Sequence, residues 1–316
     1  MSAALHEIDE RTNLTANNKF ELLLFRLGEA PGTNHRELFG INVFKVREIL
    51  VMPDITEIAN APPHVMGIAN IRGQVITVIN LPKVVGCNPS KGTSILLVTE
   101  YARSTQAFAV EEVNEIARLD WNQVIAAEGK GGNLITSIAR LDGDKEGSRL
   151  AQVLDVEQIL RDVLPSPAGE MIPENIGNKI TLPAGKIILA ADDSPLARSL
   201  IENALKALGV SYVMTRTGLE AWSKIQSMSD TAATEGKTIH DKIALILTDL
   251  EMPEMDGFML TRYIKSDQRY KSIPVIIHSS LTGEANENHV KSVGADAYVA
   301  KFVAEELADA MRKVLT

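Results

Sequence analysis

An apolar run that ends in an acidic residue defines the C-terminal half of the chain. The run Ile243–Leu247 leads within two residues to Asp249. It has no alternation of apolar and polar residues, which is typical of a central parallel strand covered by helices on both faces. Functional groups in open α/β sheets lie just beyond the carboxyl ends of the strands, where this pattern puts Asp249. A single aspartate after a strand is more often a turn residue or a helix cap, so a functional assignment needs partners.

Three further predicted strands in this half also end in polar or charged residues. These are Asp192 and Asp193 after 186–191, Ser279 after 274–278, and Lys301 after 297–300. Parallel strands of one sheet end at the same edge, so we expect three carboxylates to lie together. Carboxylates and water suit a hard ion such as Mg²⁺. Such an ion would neutralise the charge of an incoming phosphoryl group. A hydroxyl and an ammonium would hold the remaining oxygens of the phosphoryl group, and Asp249 would be the nucleophile.

These motifs, in this order, resemble the CheY-type receiver domains of two-component signalling, and the resemblance covers residues 186–316. It implies an α/β fold with a five-stranded parallel sheet of the flavodoxin-like type. By similarity, Asp249 accepts a phosphoryl group. Asp192, Asp193, Asp249 and the main-chain carbonyl of Glu251 hold Mg²⁺ in such a site, directly or through water.

The resemblance implies roles for three further residues, and the sequence departs from the usual receiver pattern at two places. Ser279 would bind the phosphoryl group, Lys301 would pair with it, and Tyr298 stands at the position of the family's rotating aromatic residue. Phe302 follows the lysine where receivers usually have proline, which affects the expected geometry of that loop. The segment 229–241 is interpreted as an insertion before the central strand.

A helix is predicted directly after the acidic pair. Ser194 is a favourable N-cap residue, Pro195 suits the first helical position, and Gly209 is a typical C-terminal stop. The apolar residues at helical spacing between these limits are expected in the core: Leu196, Leu200, Ile201, Leu205 and Leu208.

Composition excludes several functional classes. The 316 residues carry a net charge of −9, and the isoelectric point is near 5.3, so the chain has no electrostatic signature of nucleic-acid binding. The single Cys87 excludes an internal disulfide framework, and no Cys/His cluster has zinc-site spacing. No apolar run is long enough to span a membrane. We therefore expect a cytoplasmic protein.

The N-terminal half has a different pattern, with short β-rich runs between clusters of Gly, Pro and Asn. This spacing predicts small antiparallel barrels followed by a helix over 156–163, and no persuasive catalytic constellation is present. The motifs of residues 49–53, 61–63, 67–73 and 78–82 resemble the CheW coupling domain, and 138–141 and 154–157 match its closing segment.

The CheW resemblance covers residues 18–164 and implies an all-β pair of SH3-like barrels that links chemoreceptors to the histidine kinase CheA. Glu48 and Arg72 stand at the family's positions for a charged pair. Two interpretations of this pair remain open: an ion pair that joins two strands, and a direct contact with a partner.

The resulting domain organisation is a polar tail over 1–17, a coupling domain over 18–164, a Pro- and Gly-rich linker over 165–185, and a receiver over 186–316. The arrangement resembles the CheV family of chemotaxis adaptors. It implies an adaptor, not a turnover enzyme, with chemoreceptors (methyl-accepting chemotaxis proteins) and CheA as partners. It also implies recruitment to receptor arrays at the inner membrane face without insertion.

Two alternatives to a phosphorylation-switched adaptor use the same residues. In the first, the receiver is a phosphate sink for the kinase, and the N-terminal half only tethers it to the array. In the second, the carboxylates serve a Mg²⁺-dependent hydrolase, which would need a further acid or base that the sequence does not provide.

Overall fold

The computed structural model describes residues 19–101, 104–127, 134–143, 145–164, 176–280, 290, 292–301 and 303–315. The chain divides into two compact units, Met1–Gly169 and Glu170–Thr316. The predicted tail, residues 165–175 of the predicted linker, and Phe302 lie outside the described residues. None of the described helices is both long enough and apolar enough to span a membrane.

The first unit consists of two β-sheets and short helical segments. In spatial order, the six-stranded sheet contains Glu112–Asp120 (β8), Lys19–Arg26 (β1), Leu38–Asn42 (β2), Leu150–Leu154 (β11), Ile135–Arg140 (β10) and Val124–Ala126 (β9). The five-stranded sheet contains Val46–Val51 (β3), Ile95–Tyr101 (β6), Ser104–Val110 (β7), Gln74–Asn80 (β5) and Val65–Ile71 (β4). The helices are Leu81–Val85 (α1) and Val156–Val163 (α2), with 3-10 turns at Val43–Lys45 and Trp121–Gln123.

The predicted β fold of this unit is confirmed, and most of its strand pairs are antiparallel as expected, but two are parallel. Strand β11 pairs with β2 in parallel, and β5 pairs with β7 in parallel. Each pair joins segments that are distant in the chain. The turn residues between consecutive strands therefore do not predict these parallel pairings. Strands β3, β4, β8 and β9 were not predicted; of these, β8 lies at a sheet edge and carries several exposed charged residues.

One buried cluster contains residues of both sheets and of α2. It includes Phe25, Phe39, Phe108 and Ile159, and the rings of Phe25 and Phe39 stack with centroids 6.4 Å apart. Helix α2 begins after Asp155, whose carboxylate accepts hydrogen bonds from the second and third helical amides. The predicted helix over 156–163 is therefore confirmed, and its buried face closes the core of this unit.

The second unit is a five-stranded parallel sheet with helices in its connections. Its strands are Ile187–Ala191 (β12), Tyr212–Thr215 (β13), Ile243–Thr248 (β14), Val275–Ser279 (β15) and Ala297–Ala300 (β16), in the spatial order β13-β12-β14-β15-β16. The described helices are Pro195–Leu208 (α3), Gly218–Thr234 (α4), Gly257–Ser266 (α5) and Ala304–Leu315 (α6), with a 3-10 turn at Ile239–Asp241. The predicted flavodoxin-like α/β fold, with β14 at the centre, is confirmed.

Helix α3 begins and ends as its sequence predicts. The Ser194 hydroxyl accepts a hydrogen bond from the third helical amide, Pro195 takes the first position, and Gly209 ends the helix at φ +74°. The expectation of a fully buried leucine stripe is only partly right, because Leu196 and Leu200 are half-buried. A helix turns by about 100° per residue, so these two side chains lie on the flank of the face that contacts the sheet.

The last part of the predicted linker packs against the receiver helices. Ile176 is buried, and its carbonyl accepts a hydrogen bond of 2.5 Å from Nη2 of Arg312 on α6. The same nitrogen donates to the carbonyl of Asn178 at 3.0 Å. The amide of Ile180 then donates to the carbonyl of Leu208, at the end of α3. Residues 176–180 are thus held by two helices of the second unit.

The predicted insertion over 229–241 forms ordered structure. Its first part extends α4 to Thr234, Gly236 makes the turn at φ +70°, and the 3-10 turn leads into β14. Ala232 and Ile239 are buried. The insertion therefore adds to the core beside the central strand.

Candidate functional site

Three carboxylates meet at the carboxyl edge of the parallel sheet. Asp192 and Asp193 follow β12, Asp249 follows the adjacent strand β14, and one oxygen from each lies within 4.8 Å of the others. Asp192 and Asp249 are buried, whereas Asp193 is half-buried. The sheet topology brings them together, because β12 and β14 are parallel neighbours with Ala191 opposite Thr248.

A buried lysine lies between two of these carboxylates. Nζ of Lys301 is 2.9 Å from Oδ2 of Asp192 and 2.9 Å from Oδ2 of Asp249. The lysine follows β16, and its amide donates to the carbonyl of Ser279 on β15. Burial raises the pKa of Asp192 to about 7, a shift that Lys301 opposes and Asp249 reinforces. One ammonium thus offsets the repulsion between two carboxylates that have little access to water.

Backbone amides fix the two buried carboxylates from the other side. Oδ1 of Asp192 accepts from the amide of Ser194 at 2.9 Å, and Oδ1 of Asp249 accepts from the amide of Leu250 at 2.7 Å. The amide of Asp249 donates to the carbonyl of Ala191, which extends the β12–β14 ladder by one residue. Each of these carboxylates therefore has one oxygen held by the main chain and one facing Lys301.

The remaining predicted receiver residues lie on or beside neighbouring strands. Ser279 ends β15, is fully buried, and pairs in register with Ala300 on β16. Tyr298 lies on β16 and is half-buried. Glu251 lies in the loop after Asp249 and is also half-buried. The predicted roles of these side chains remain predictions.

The loop after Asp249 is braced by contacts that the sequence did not predict. Gly257 approaches so closely that a Cβ there would lie 2.0 Å from the main-chain oxygen of Asp249. The amide of Gly218 donates to the carbonyl of Met255, and the Thr217 hydroxyl donates to Glu254 at 3.1 Å. The N-terminus of α4 therefore holds this loop. In the sequence, Met252-Pro253 and Asp256-Gly257 indicate a loop here but do not predict these contacts.

A second unpredicted contact lies behind the acidic pair. Nη1 of Arg198, in the first turns of α3, donates to the carbonyls of Asp192 and Asp193 at 2.9 and 2.7 Å. A basic residue four positions after an N-cap serine is too common to be a sequence signal. Its contact depends on the side chain turning back toward the helix N-terminus.

The proposed charged pair of the first unit is formed. Nη2 of Arg72 lies 2.9 Å from Oε2 of Glu48, with the glutamate side chain 7% exposed and the arginine 70% exposed. Arg72 has a φ of +52°, in a turn where Asn70 Oδ1 accepts from the amide of Gly73. The ion pair joins β3 to the β4–β5 turn, while the exposed guanidinium also leaves a partner contact open.

The donor set at the sheet edge fits a hard divalent cation. All three candidate side chains offer carboxylate oxygens, and two of these residues are buried. Mg²⁺ prefers such oxygens and usually keeps several waters, which the half-buried Asp193 leaves room for. Among the described residues, no histidine nitrogen or cysteine sulfur, the ligands typical of zinc sites, belongs to this cluster.

Comparison with known proteins follows the same division of the chain. Residues 21–164 match the family model of a CheW-like domain, and residues 188–312 match that of a response regulator receiver domain. The chemotaxis protein CheV3 of Helicobacter pylori is 29% identical over 314 residues, 95% of this chain and 97% of that protein. CheV2 of the same organism is 27% identical, over 99% of this chain and 100% of that protein.

The chain belongs to the CheV family. Chemotaxis protein CheY1 of Helicobacter pylori is 32% identical over 130 residues, which covers 40% of this CheV-family chain and 95% of the CheY1 protein. Receiver domains generally bind Mg²⁺, and the oxygen donors at the sheet edge of this CheV-family receiver fit that ion. The carboxylate cluster therefore belongs to a chemotaxis receiver that shares its chain with a CheW-like domain.

Proposed function

We propose that the protein is a chemotaxis adaptor that couples chemoreceptors to the histidine kinase CheA, and that phosphorylation of Asp249 modulates this coupling. The observation that carries the proposal is the buried Asp249 carboxylate, 2.9 Å from the Lys301 ammonium and close to two further aspartates. A CheW-like domain on the same chain supports the coupling role.

In the proposed reaction, a carboxylate oxygen of Asp249 attacks the phosphorus of a kinase phosphohistidine. A P–O bond forms to Asp249 while the P–N bond breaks, and the imidazole leaves with that electron pair and is protonated. Lys301 pairs with an oxygen of the transferred group, and the Ser279 hydroxyl donates to another. Asp249 and Lys301 then no longer form the contact of the unphosphorylated protein.

The acidic pair serves the same reaction. Asp192, Asp193, Asp249 and the main-chain carbonyl of Glu251 would hold Mg²⁺. When bound, this ion supplies positive charge that offsets the repulsion between the carboxylate and the phosphoryl oxygens. The raised pKa of Asp192 follows from its burial beside Asp249, and a cation at this position removes that cost.

The adaptor role divides between the two domains. The CheW-like domain would contact receptors and kinase, with Glu48 and Arg72 as candidate contact residues. The receiver would alter this contact when phosphorylated, with Tyr298 responding to the changed position of Lys301 three residues later. Such a switch requires an element with two stable arrangements, which the phosphorylated and unphosphorylated forms populate differently.

Intact-mass measurement tests the first step. The purified full chain is mixed with phosphorylated CheA and Mg²⁺, beside an Asp249→Asn variant. We expect the wild type to gain the mass of one phosphoryl group and the variant to gain none. Equal labelling of both would show that another residue is the acceptor. If neither the wild type nor Asp249→Asn gains a phosphoryl group, the replacement of proline by Phe302 has disabled the site.

A further inference from the structure

We propose that Arg198 is a positioning residue that sets the cation affinity of the carboxylate site. This inference rests on the proposed function of that site. The guanidinium nitrogen Nη1 of Arg198 donates hydrogen bonds to the main-chain carbonyls of Asp192 and Asp193. These bonds do not involve the carboxylate groups. Arg198 therefore acts on the site through the backbone that carries the acidic pair.

The two hydrogen bonds constrain consecutive peptide groups. At 2.9 and 2.7 Å they are charge-assisted and short, and such bonds are stronger than neutral ones. Consecutive carbonyls that bind one nitrogen must point to the same side, which fixes the turn between β12 and α3. The direction of the Asp193 side chain follows from that turn.

The turn carries both members of the acidic pair. The carboxylate of Asp192 is held independently by the Ser194 amide and by Lys301. Asp193 is half-buried and is the most exposed residue of the three. Groups that orient metal ligands from behind commonly change metal affinity by about 10–100-fold when they are removed. Arg198 occupies such a position.

Positioning and simple electrostatics predict opposite signs. Arg198 is a positive charge close to a site for a cation, so its removal would tighten binding of Mg²⁺ if charge alone mattered. If Arg198 positions the acidic pair, its removal weakens binding although a repelling charge is lost. The sign of the change in affinity therefore separates the two effects.

The test is calorimetric titration of Mg²⁺ into the full-length, unphosphorylated protein and its variants. We expect Arg198→Met to raise the Kd for Mg²⁺ by about tenfold or more. Arg198→Lys keeps the positive charge on a single ammonium, so its Kd for Mg²⁺ should lie between those of Arg198→Met and the wild type. Lys206→Met is the matched control, because Lys206 lies on the same helix, is exposed, and contacts Glu202 and Tyr212 rather than the acidic pair. Its Kd should equal that of the wild type.

Thermal unfolding without Mg²⁺ accompanies each titration. A folded Arg198→Met protein that binds Mg²⁺ as tightly as the wild type, or more tightly, would overturn the inference. If Arg198→Met does not fold, Arg198→Lys decides: unchanged affinity would overturn the inference, and weaker affinity would support it. Failure of the proposed function looks different, because the wild type itself would then not bind Mg²⁺, and Asp193→Asn would change nothing.

Discussion

In the unphosphorylated protein, Lys301 supplies positive charge that offsets the repulsion between the carboxylates of the site. Its ammonium lies 2.9 Å from oxygens of both Asp192 and Asp249, and all three residues are buried. Removing one partner of a buried ion pair leaves uncompensated charge, which is far more costly than the loss of a surface pair. Lys301 should therefore contribute to stability as well as to the proposed binding of the phosphoryl group.

We predict that Lys301→Ala lowers the free energy of unfolding by about 3–5 kcal/mol at neutral pH without Mg²⁺. Added Mg²⁺ should recover part of this loss, because a bound cation offsets the same repulsion. Urea unfolding with and without Mg²⁺ measures both effects. Lys206→Ala, which removes the exposed contacts of Lys206 with Glu202 and Tyr212, should cost no more than about 1 kcal/mol. A Lys301 variant as stable as this control would contradict the account.

Asp256 gives the receiver a pH-dependent stability. Burial raises its pKa from 3.8 to about 6, while hydrogen bonds from the amides of Met259 and Phe258 oppose the shift. The folded state therefore holds the proton more tightly than the unfolded state. The stabilising contribution is complete below about pH 4 and is lost as the pH rises through about 6.

We predict that the stability of the wild type relative to Asp256→Asn falls by about 1–2 kcal/mol between pH 4 and pH 7. Asparagine keeps the N-cap but does not ionise, so the difference isolates the carboxyl group. Urea unfolding at several pH values measures it. Asp267→Asn is the control with the opposite sign, because Arg269 lowers the pKa of Asp267. A difference for Asp256 that rises with pH would refute the prediction.

At this scale the sequence predicted the residues whose position follows from strand topology. Asp192, Asp193 and Asp249 meet because adjacent parallel strands end at one edge, and the lysine after β16 reaches Asp249 from two strands away and Asp192 from three. The contacts of Arg198 could not be predicted in this way. They depend on how a side chain folds back over a turn, which the spacing of residues does not determine.

Among the secondary-structure elements, α6 has a role beyond the packing of its apolar face. Arg312 binds the carbonyls of Ile176 and Asn178, and the φ of +84° at Gly177 lets the chain pass its guanidinium closely. A Cβ at Gly177 would lie 2.6 Å from Nη2 of Arg312. The segment 176–180 is therefore attached to the helix that follows Lys301.

We predict that Arg312→Ala frees this segment without unfolding the receiver. Loss of charge-assisted hydrogen bonds of about 1.5–3 kcal/mol should speed amide exchange at Ile180 by about tenfold or more. Exchange in β14 should not change. Asp309→Asn is the matched control, because it removes only the exposed partner of Arg312 and leaves both carbonyl contacts. Unchanged exchange at Ile180 in Arg312→Ala would show that the other contacts of the segment, including the bond from Ile180 to Leu208, hold it without Arg312.

Element types were predictable where their signals are local, and strand pairing was not. The caps of α3 at Ser194 and Gly209 and the apolar run of β14 are read directly from neighbouring residues. The parallel pairs β2–β11 and β5–β7 join distant segments through packing, so no local pattern records them. Strand β8 escaped prediction because its exposed face is charged.

For the whole molecule, the central proposal is that one chain combines the phosphoryl acceptor with the coupling domain. The CheW-like match over 21–164 and the receiver match over 188–312 support this combination. A phosphate sink would use the same Asp249 chemistry, but its coupling domain would bind the array equally in both states. The two hypotheses therefore differ in how array binding responds to phosphorylation, and both predict labelling.

The most direct test measures binding of the full-length protein to reconstituted receptor–CheA arrays, with the fraction phosphorylated at Asp249 determined by intact mass in the same samples. Asp249→Asn is carried through identical conditions as the matched control. We expect array affinity to change with the phosphorylated fraction of the wild type and to stay constant for Asp249→Asn. Full phosphorylation of the wild type with unchanged array affinity would contradict the switched adaptor and favour the sink.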